Sequence, residues 1–118
     1  MYKEFILFLG TKNMESTSDF YQNILNMPLY KDQEGICKIF TISKESKLGF
    51  CSHMPVKFKD KCPIITLIVK DVDKMYQELL SKDVEINEAP KHNAKFNIYH
   101  FFLEDPNGYT IEIQKFLD

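Results

Sequence analysis

The side chains best suited to chemistry in this sequence are Glu112 and His100, near the end of the chain. Glu112 lies between Ile111 and Ile113, where apolar and polar residues alternate as in a strand with two distinct faces. A carboxylate in such a segment is costly unless it is paired or hydrated. The polar residues of this segment therefore form either a solvated outer face or the lining of an internal polar cavity.

His100 lies on the neighbouring predicted strand, on the same face as Glu112. Its imidazole could pair with Glu112 or serve as a general base. Glu112 itself could accept hydrogen bonds from a cationic or hydroxyl-bearing ligand. The alternative is that the two side chains only satisfy each other inside a collapsed interior.

A tight turn must join the two strands that carry these residues. Asp105, Pro106, Asn107 and Gly108 have the types that such a turn requires, because Pro106 presets φ and Gly108 accepts a positive φ. The sequence therefore predicts a terminal hairpin with strands at residues 96–103 and 109–116.

The same order of predicted strands and helices occurs twice in the sequence, and the hairpin ends the second copy. The first copy has an apolar strand at 4–10, expected to be buried on both faces, a helix capped by Asn13, and strands at 29–32, 36–42 and 48–51. The second has a strand at 64–69, a helix capped by Asp71, a short strand at 84–86, a loop at 88–95 and the hairpin. A shift of 58 residues maps Asn13 onto Asp71 (71 − 13) and Ile6 onto Ile64. The repeat predicts one α+β domain of two β-α-β-β-β modules, residues 1–58 and 59–118.

The composition excludes several classes of protein. A net charge of −2 over 118 residues offers no basis for binding nucleic acid or an anionic membrane. No apolar run is long enough to span a bilayer, and we expect no signal peptide. Cys37, Cys51 and Cys62 lack the spacing of a metal site, so we expect reduced, packed thiols in a cytoplasmic protein.

Two segments carry a resemblance to a known family: Asn13-Met14-Glu15-Ser16 through Phe20-Tyr21, and Phe102-Leu103-Glu104-Asp105-Pro106-Asn107-Gly108-Tyr109-Thr110-Ile111-Glu112-Ile113. They resemble the vicinal oxygen chelate superfamily, which includes glyoxalases, bleomycin-resistance proteins and extradiol dioxygenases. The resemblance implies that the two modules form a curled mixed sheet around a shared cavity, with the helices on the outer face.

The resemblance also implies where a metal would bind. Metal-dependent members carry a His in the first and fifth strands and an acidic ligand in the fourth and eighth. The eighth-strand position is Glu112, but the two His positions fall on Ile6 and Ile64, and residues 49–51 contain no acid or His. Because a divalent ion needs several ligands, we predict no metal, no cofactor and no catalytic residue.

The resemblance and the strand alternation together predict a largely apolar ligand pocket. Its predicted lining residues are Ile6, Phe8, Phe50, Ile64, Thr66, His100, Phe102, Thr110, Glu112 and Gln114. The predicted function is metal-independent binding that sequesters an aromatic or amphipathic compound, in a homodimer. The alternatives are a metal-dependent lyase, isomerase or dioxygenase of the same superfamily, and a structural dimerisation module.

Overall fold

The computed structural model describes all 118 residues, which divide into an N-terminal unit, Met1–Lys57, and a C-terminal unit, Phe58–Asp118. Each unit has one helical segment and one four-stranded mixed sheet. The predicted α+β class and the repeated β-α-β-β-β order are therefore confirmed. Neither helix has the length and apolar character that crossing a membrane would require.

The N-terminal unit begins with a strand and a helix whose last turn is of the π type. Its elements are β1 (Phe5–Gly10), α1 (Met14–Asp19) with the π-helical turn Phe20–Ile24, β2 (Leu29–Gln33), β3 (Cys37–Ser43) and β4 (Ser46–Cys51). The strand order in the sheet is β1-β4-β3-β2, with β1 parallel to β4 and the other pairs antiparallel.

The C-terminal unit repeats this arrangement. Its elements are β5 (Ile64–Ile68), α2 (Val72–Ser81), β6 (Lys91–Asn93), β7 (Ile98–Glu104) and β8 (Thr110–Phe116). The strand order is β5-β8-β7-β6, and β5 is parallel to β8.

The two helices begin in the same way. The Asn13 side chain accepts a hydrogen bond from the Ser16 amide, and the Asp71 side chain accepts one from the Lys74 amide, each at 3.0 Å. These bonds satisfy amide donors that a helix start would otherwise leave unpaired. Both predicted N-caps are therefore confirmed, and they lie at equivalent positions in the two units.

The sixth strand does not lie where the sequence predicted it. Residues 84–86 are not a strand, because the chain is still completing the end of α2: the Val84 amide donates to the Leu79 carbonyl and Asp83 has a φ of 63°. The strand is instead Lys91–Asn93, inside the predicted loop. It has three polar residues at a sheet edge and carries no alternation that a sequence pattern could reveal.

The core of each unit lies between the sheet and its own helical segment. In the N-terminal unit, the Tyr21 ring packs against the rings of Phe50 and Phe40, with centroids 4.6 and 6.0 Å apart. In the C-terminal unit, Tyr76 of α2 contacts Phe101 edge-on at 5.4 Å. We call the other side of each sheet, turned away from the helical segment, its distal face.

The first strand is less buried than its apolar run predicted. Phe5, Leu7 and Phe8 are all exposed, Phe5 to 63%. The expectation of burial on both faces is wrong because β1 is the edge strand of its sheet. A run of apolar residues cannot distinguish an edge strand from a central one.

The expectation of three reduced, packed thiols is also wrong. Cys37 and Cys51 face each other on β3 and β4, with Cα atoms 4.1 Å apart, and form a disulfide. Cys62 is free but exposed. The spacing in sequence does not show the pairing, because it depends on the register of two strands.

Candidate functional site

The distal face of the C-terminal sheet carries the polar side chains that the sequence singled out. The register places Gln114 opposite His100, and both Phe102 and Thr66 beside Glu112. Because side chains alternate along a strand, these residues share one face, while Phe101 and Ile113 face α2.

A short chain of hydrogen bonds runs across this face. The carboxylate of Glu112 accepts a bond from His100 Nδ1 at its Oε2, over 2.6 Å, and from the Thr66 hydroxyl at its Oε1, over 2.7 Å. His100 and Glu112 are both buried, whereas Thr66 is exposed at the sheet edge. Pairing with Glu112, one of the two roles that the sequence allowed for His100, is therefore present, and it leaves Nε2 of the imidazole for another partner.

The network keeps Glu112 ionised. Burial alone raises the pKa of a carboxyl, but hydrogen bonds from Thr66, His100 and Gln114, together with the charge of His100, outweigh it and hold the pKa of Glu112 below its ordinary value. A carboxylate bonded to an imidazole in this way fixes the orientation and tautomer of the ring.

Two cavities border this network. The larger, of about 600 Å³, contains the aromatic side chains of Phe96, Phe102 and Phe116. Its polar lining comes from Lys91, Asn93, His100, Glu112 and Gln114. A cavity of this size, with apolar walls and a few convergent polar groups, has the usual composition of a small-molecule site.

The smaller cavity, of about 360 Å³, also borders His100 and Phe102. It is lined in addition by Phe58, Lys61 and Thr110, and the Lys61 ammonium lies 5.2 Å from the centre of the Phe102 ring. Phe102 therefore forms part of both cavities, with a cation on one side.

The structure brings together six of the predicted pocket residues: Thr66, His100, Phe102, Thr110, Glu112 and Gln114. Ile64 lies on β5 and is exposed. Ile6 and Phe8 belong to β1 of the N-terminal unit. Phe50 is fully buried in the core of that unit, against Tyr21, so its side chain faces the helical segment and not a cavity.

The residues that line the cavities and that sequence reasoning missed include Lys61, Lys91, Phe96 and Phe116. Phe116 could have been found, since it follows Gln114 by two positions on β8 and so shares its face. Phe96 could have been found in the same way, because it begins the predicted strand 96–103 and lies four positions before His100. Lys61 and Lys91 lie outside the predicted helices and strands, where no period assigns a side chain to a face.

The chain belongs to the Glyoxalase/Bleomycin resistance protein/Dioxygenase superfamily, whose sequence profile matches residues 6–113. This confirms the resemblance identified from the sequence. No protein of curated function matches the chain.

Solved structures share the fold at low sequence identity. An integron cassette protein from the mobile metagenome of the Halifax Harbour sewage outfall is 18% identical, with a TM-score of 0.81 over 98% of this chain and 99% of its own. A possible glyoxalase from Bacillus cereus is 22% identical, with a TM-score of 0.75 over 92% and 94%. The lactoylglutathione lyase of Agrobacterium tumefaciens is 12% identical, with a TM-score of 0.74 over 93% and 90%.

The residues present do not fit the metal site of the metal-dependent members. Ile6 and Ile64 have no side-chain atom that could coordinate a metal ion. The position in β4 that corresponds to Glu112 is Gly49, because Gly49 pairs with Phe8 of β1 as Glu112 pairs with Thr66 of β5. Glu112 belongs to no group of three metal-ligating side chains. Both of its oxygens already accept hydrogen bonds within the protein.

Proposed function

We propose that this protein binds a small aromatic or amphipathic compound without a metal ion and sequesters it. The observation that carries the proposal is the cavity of about 600 Å³, which is lined by three phenylalanines and by the hydrogen-bonded His100–Glu112 pair. Such a site needs no catalytic group, because equilibrium capture lowers the free concentration of the compound.

The aromatic side chains provide most of the binding free energy in this proposal. Covering about 150 Å² of apolar surface of the ligand stabilises a complex by roughly 4 kcal/mol before the entropy cost of association is subtracted. Phe102 is central, since it borders both cavities and already lies near the Lys61 cation. An aromatic ligand can stack on its ring or pack against the ring edge.

His100 fixes the polar end of the ligand. Its Nδ1 is bonded to Glu112, so Nε2 is the ring atom left to meet a hydroxyl group of the ligand. Glu112 acts by orienting the imidazole, because both of its oxygens are already engaged. This makes His100 the anchoring residue and Glu112 its positioning residue.

The test uses the fluorescent dye 8-anilinonaphthalene-1-sulfonate, an aromatic amphipathic probe. We expect one saturable site per chain that is unchanged by excess EDTA. Phe102→Ala should weaken binding by about 2 kcal/mol, or roughly 30-fold, because it removes a wall of the cavity. The control is Phe5→Ala, an exposed phenylalanine of the N-terminal unit, which should leave affinity unchanged. Loss of binding in EDTA, or equal loss in both variants, would overturn the proposal.

A second candidate function is an enzyme that uses His100 as a general base. The 2.6 Å contact with Glu112 favours it, because a carboxylate that orients an imidazole is a common arrangement in acid–base catalysis. Its metal-dependent version is tested by metal analysis of protein purified without chelator. Stoichiometric nickel, zinc, iron or manganese that Glu112→Gln removes and Cys37→Ser leaves in place would favour this candidate.

The proposal includes a homodimer in the cytoplasm. Exposed apolar residues on the distal face, among them Ile64, Ile68 and Phe116, support a second copy as the covering partner. Sedimentation of the wild type against Ile68→Lys tests this, with a monomeric variant expected. A dimer that binds none of a panel of aromatic probes would favour the structural dimerisation module instead.

A further inference from the structure

A second cluster of reactive side chains lies in the N-terminal unit, at the end of β4. The sulfur atoms of Cys37 and Cys51 and a ring nitrogen of His53 all lie within 4.8 Å of one another. Cys37 Sγ and His53 Nδ1 are 3.9 Å apart. The two cysteines are buried and His53 is exposed, so the cluster opens to solvent on the histidine side.

Backbone hydrogen bonds hold the three residues in place independently of the disulfide. The Ser52 amide donates to the Ile36 carbonyl at 2.9 Å, and the Thr11 amide donates to the Cys51 carbonyl at 3.1 Å. The Met54 amide closes the turn that carries His53 by donating to the same Cys51 carbonyl at 3.3 Å. Reduction of the disulfide would therefore leave both sulfurs and the imidazole as neighbours.

We propose that, once the disulfide is reduced, Cys37, Cys51 and His53 form a site for a thiophilic divalent cation, with Zn²⁺ as the best fit. Two thiolates and one imidazole are an established donor set for Zn²⁺, with the fourth position left to water or another ligand. Tetrahedral Zn²⁺ separates its sulfur and nitrogen ligands by about 3.6 Å, given the usual bond lengths. The 3.9 Å between Cys37 Sγ and His53 Nδ1 is close to that separation.

The same two sulfurs serve either the disulfide or the metal, so the site is controlled by oxidation state. Reduction adds two electrons and two protons to the disulfide and gives two thiols. A phosphine can supply the electrons and is itself oxidised to a phosphine oxide, while water supplies the oxygen atom and the two protons. Zn²⁺ then displaces both thiol protons as it binds. Cytoplasmic thiol reductants favour the form that can bind metal, and oxidation would release the ion.

The test compares the oxidised wild type with protein reduced by tris(2-carboxyethyl)phosphine, each titrated with Co²⁺ as a spectroscopic substitute for Zn²⁺. The reduced form should bind one Co²⁺ per chain, show a thiolate-to-metal charge-transfer band, and lose that band when Zn²⁺ is added. The oxidised form should show no band. Equal spectra for the two forms would overturn the proposal, and this comparison needs no variant to fold.

Variants then identify the ligands. Cys37→Ser and His53→Ala should each weaken Co²⁺ binding by at least about 100-fold, since removing a metal ligand costs more affinity than removing a residue that only orients a ligand. The matched controls are Cys62→Ser and His92→Ala, which remove an exposed cysteine and an exposed histidine elsewhere. Binding retained in both test variants, or lost equally in the controls, would mean an adventitious ion only. Dye binding in the C-terminal unit is a separate measurement, so the two proposals can fail independently.

Discussion

The two units share one fold but carry different chemistry at equivalent positions of their distal faces. Thr66 and Glu112 pair across β5 and β8 where Phe8 and Gly49 pair across β1 and β4. His100 and Gln114 face each other on β7 and β8 where Cys37 and Cys51 face each other on β3 and β4. A hydrogen-bonded acid–base pair in one unit thus corresponds to an aromatic contact and a disulfide in the other.

The difference shows that the backbone sets the positions and the side chains set the chemistry. At Gly49 the absence of a side chain lets the Phe8 ring lie against the sheet, since a Cβ there would be only 2.6 Å from that ring. At Glu112 the neighbouring His100 and Thr66 supply the hydrogen bonds that a buried carboxylate needs. Gly49 and Glu112 each fit the side chains around them, and neither would fit the surroundings of the other.

Placing a glutamate at Gly49, the counterpart of Glu112 in the N-terminal unit, should therefore have the largest effect on stability. Gly49→Glu should destabilise the protein by about 4 kcal/mol, because the carboxylate would be buried without a partner and would displace Phe8. Urea denaturation measures this loss. Gly49→Ala is the control for the steric part and should cost only about 1 kcal/mol, since Phe8 is partly exposed and can move. Equal losses would show that charge is irrelevant at this position.

Removing the carboxylate from its own unit should have the next largest effect. Glu112→Ala should cost about 3 kcal/mol, since it leaves the buried His100 imidazole without its partner. The urea midpoint is again the measurement. Glu88→Ala, which breaks only an exposed ion pair with Lys91, should cost less than about 0.5 kcal/mol. A similar loss in both variants would contradict a structural role for the pair.

The acid side of the stability profile should report the ionised state of Glu112 in the C-terminal unit. The pKa of Glu112 is lower in the folded state than its ordinary value, which applies to the unfolded chain. Glu112 therefore contributes its full stabilisation when the pH is above the ordinary pKa, and this stabilisation is lost as the pH falls through the lower pKa of the folded state. Urea midpoints from about pH 6 to about pH 2 should therefore fall more steeply for the wild type than for Glu112→Gln. Parallel profiles would argue against an ionised, hydrogen-bonded Glu112.

The smallest effect is expected at the sheet edge. Thr66→Val should cost about 1 kcal/mol or less, since it removes one hydrogen bond to Glu112 at an exposed residue. In the dye titration, it should leave affinity nearly unchanged, because His100 keeps its bond to Glu112. A loss as large as that of Phe102→Ala would place Thr66 among the residues that bind the probe.

Local patterns were sufficient for most of the fold. Asn13 and Asp71 have the side chains of helix N-caps, and the turn at Pro106 and Gly108 joins two alternating strands. Such signals depend on neighbours within a few residues, so they survive without knowledge of the tertiary structure. The short polar strand β6 and the edge exposure of β1 were missed, because both depend on which strand lies beside which.

The sequence by itself determined the repeated module and the two helix starts, since these follow from residue type and short-range period. Its two motifs carried the resemblance to the family, and it allowed the pairing of His100 with Glu112 as one of two possibilities. Only the tertiary structure decided that Phe50 is a core residue, that Lys61 and Lys91 line the cavities, and that Cys37 meets Cys51 beside His53. These depend on strand register and on which face a side chain takes. A shift of one residue in register reverses every such assignment, and no local pattern specifies it.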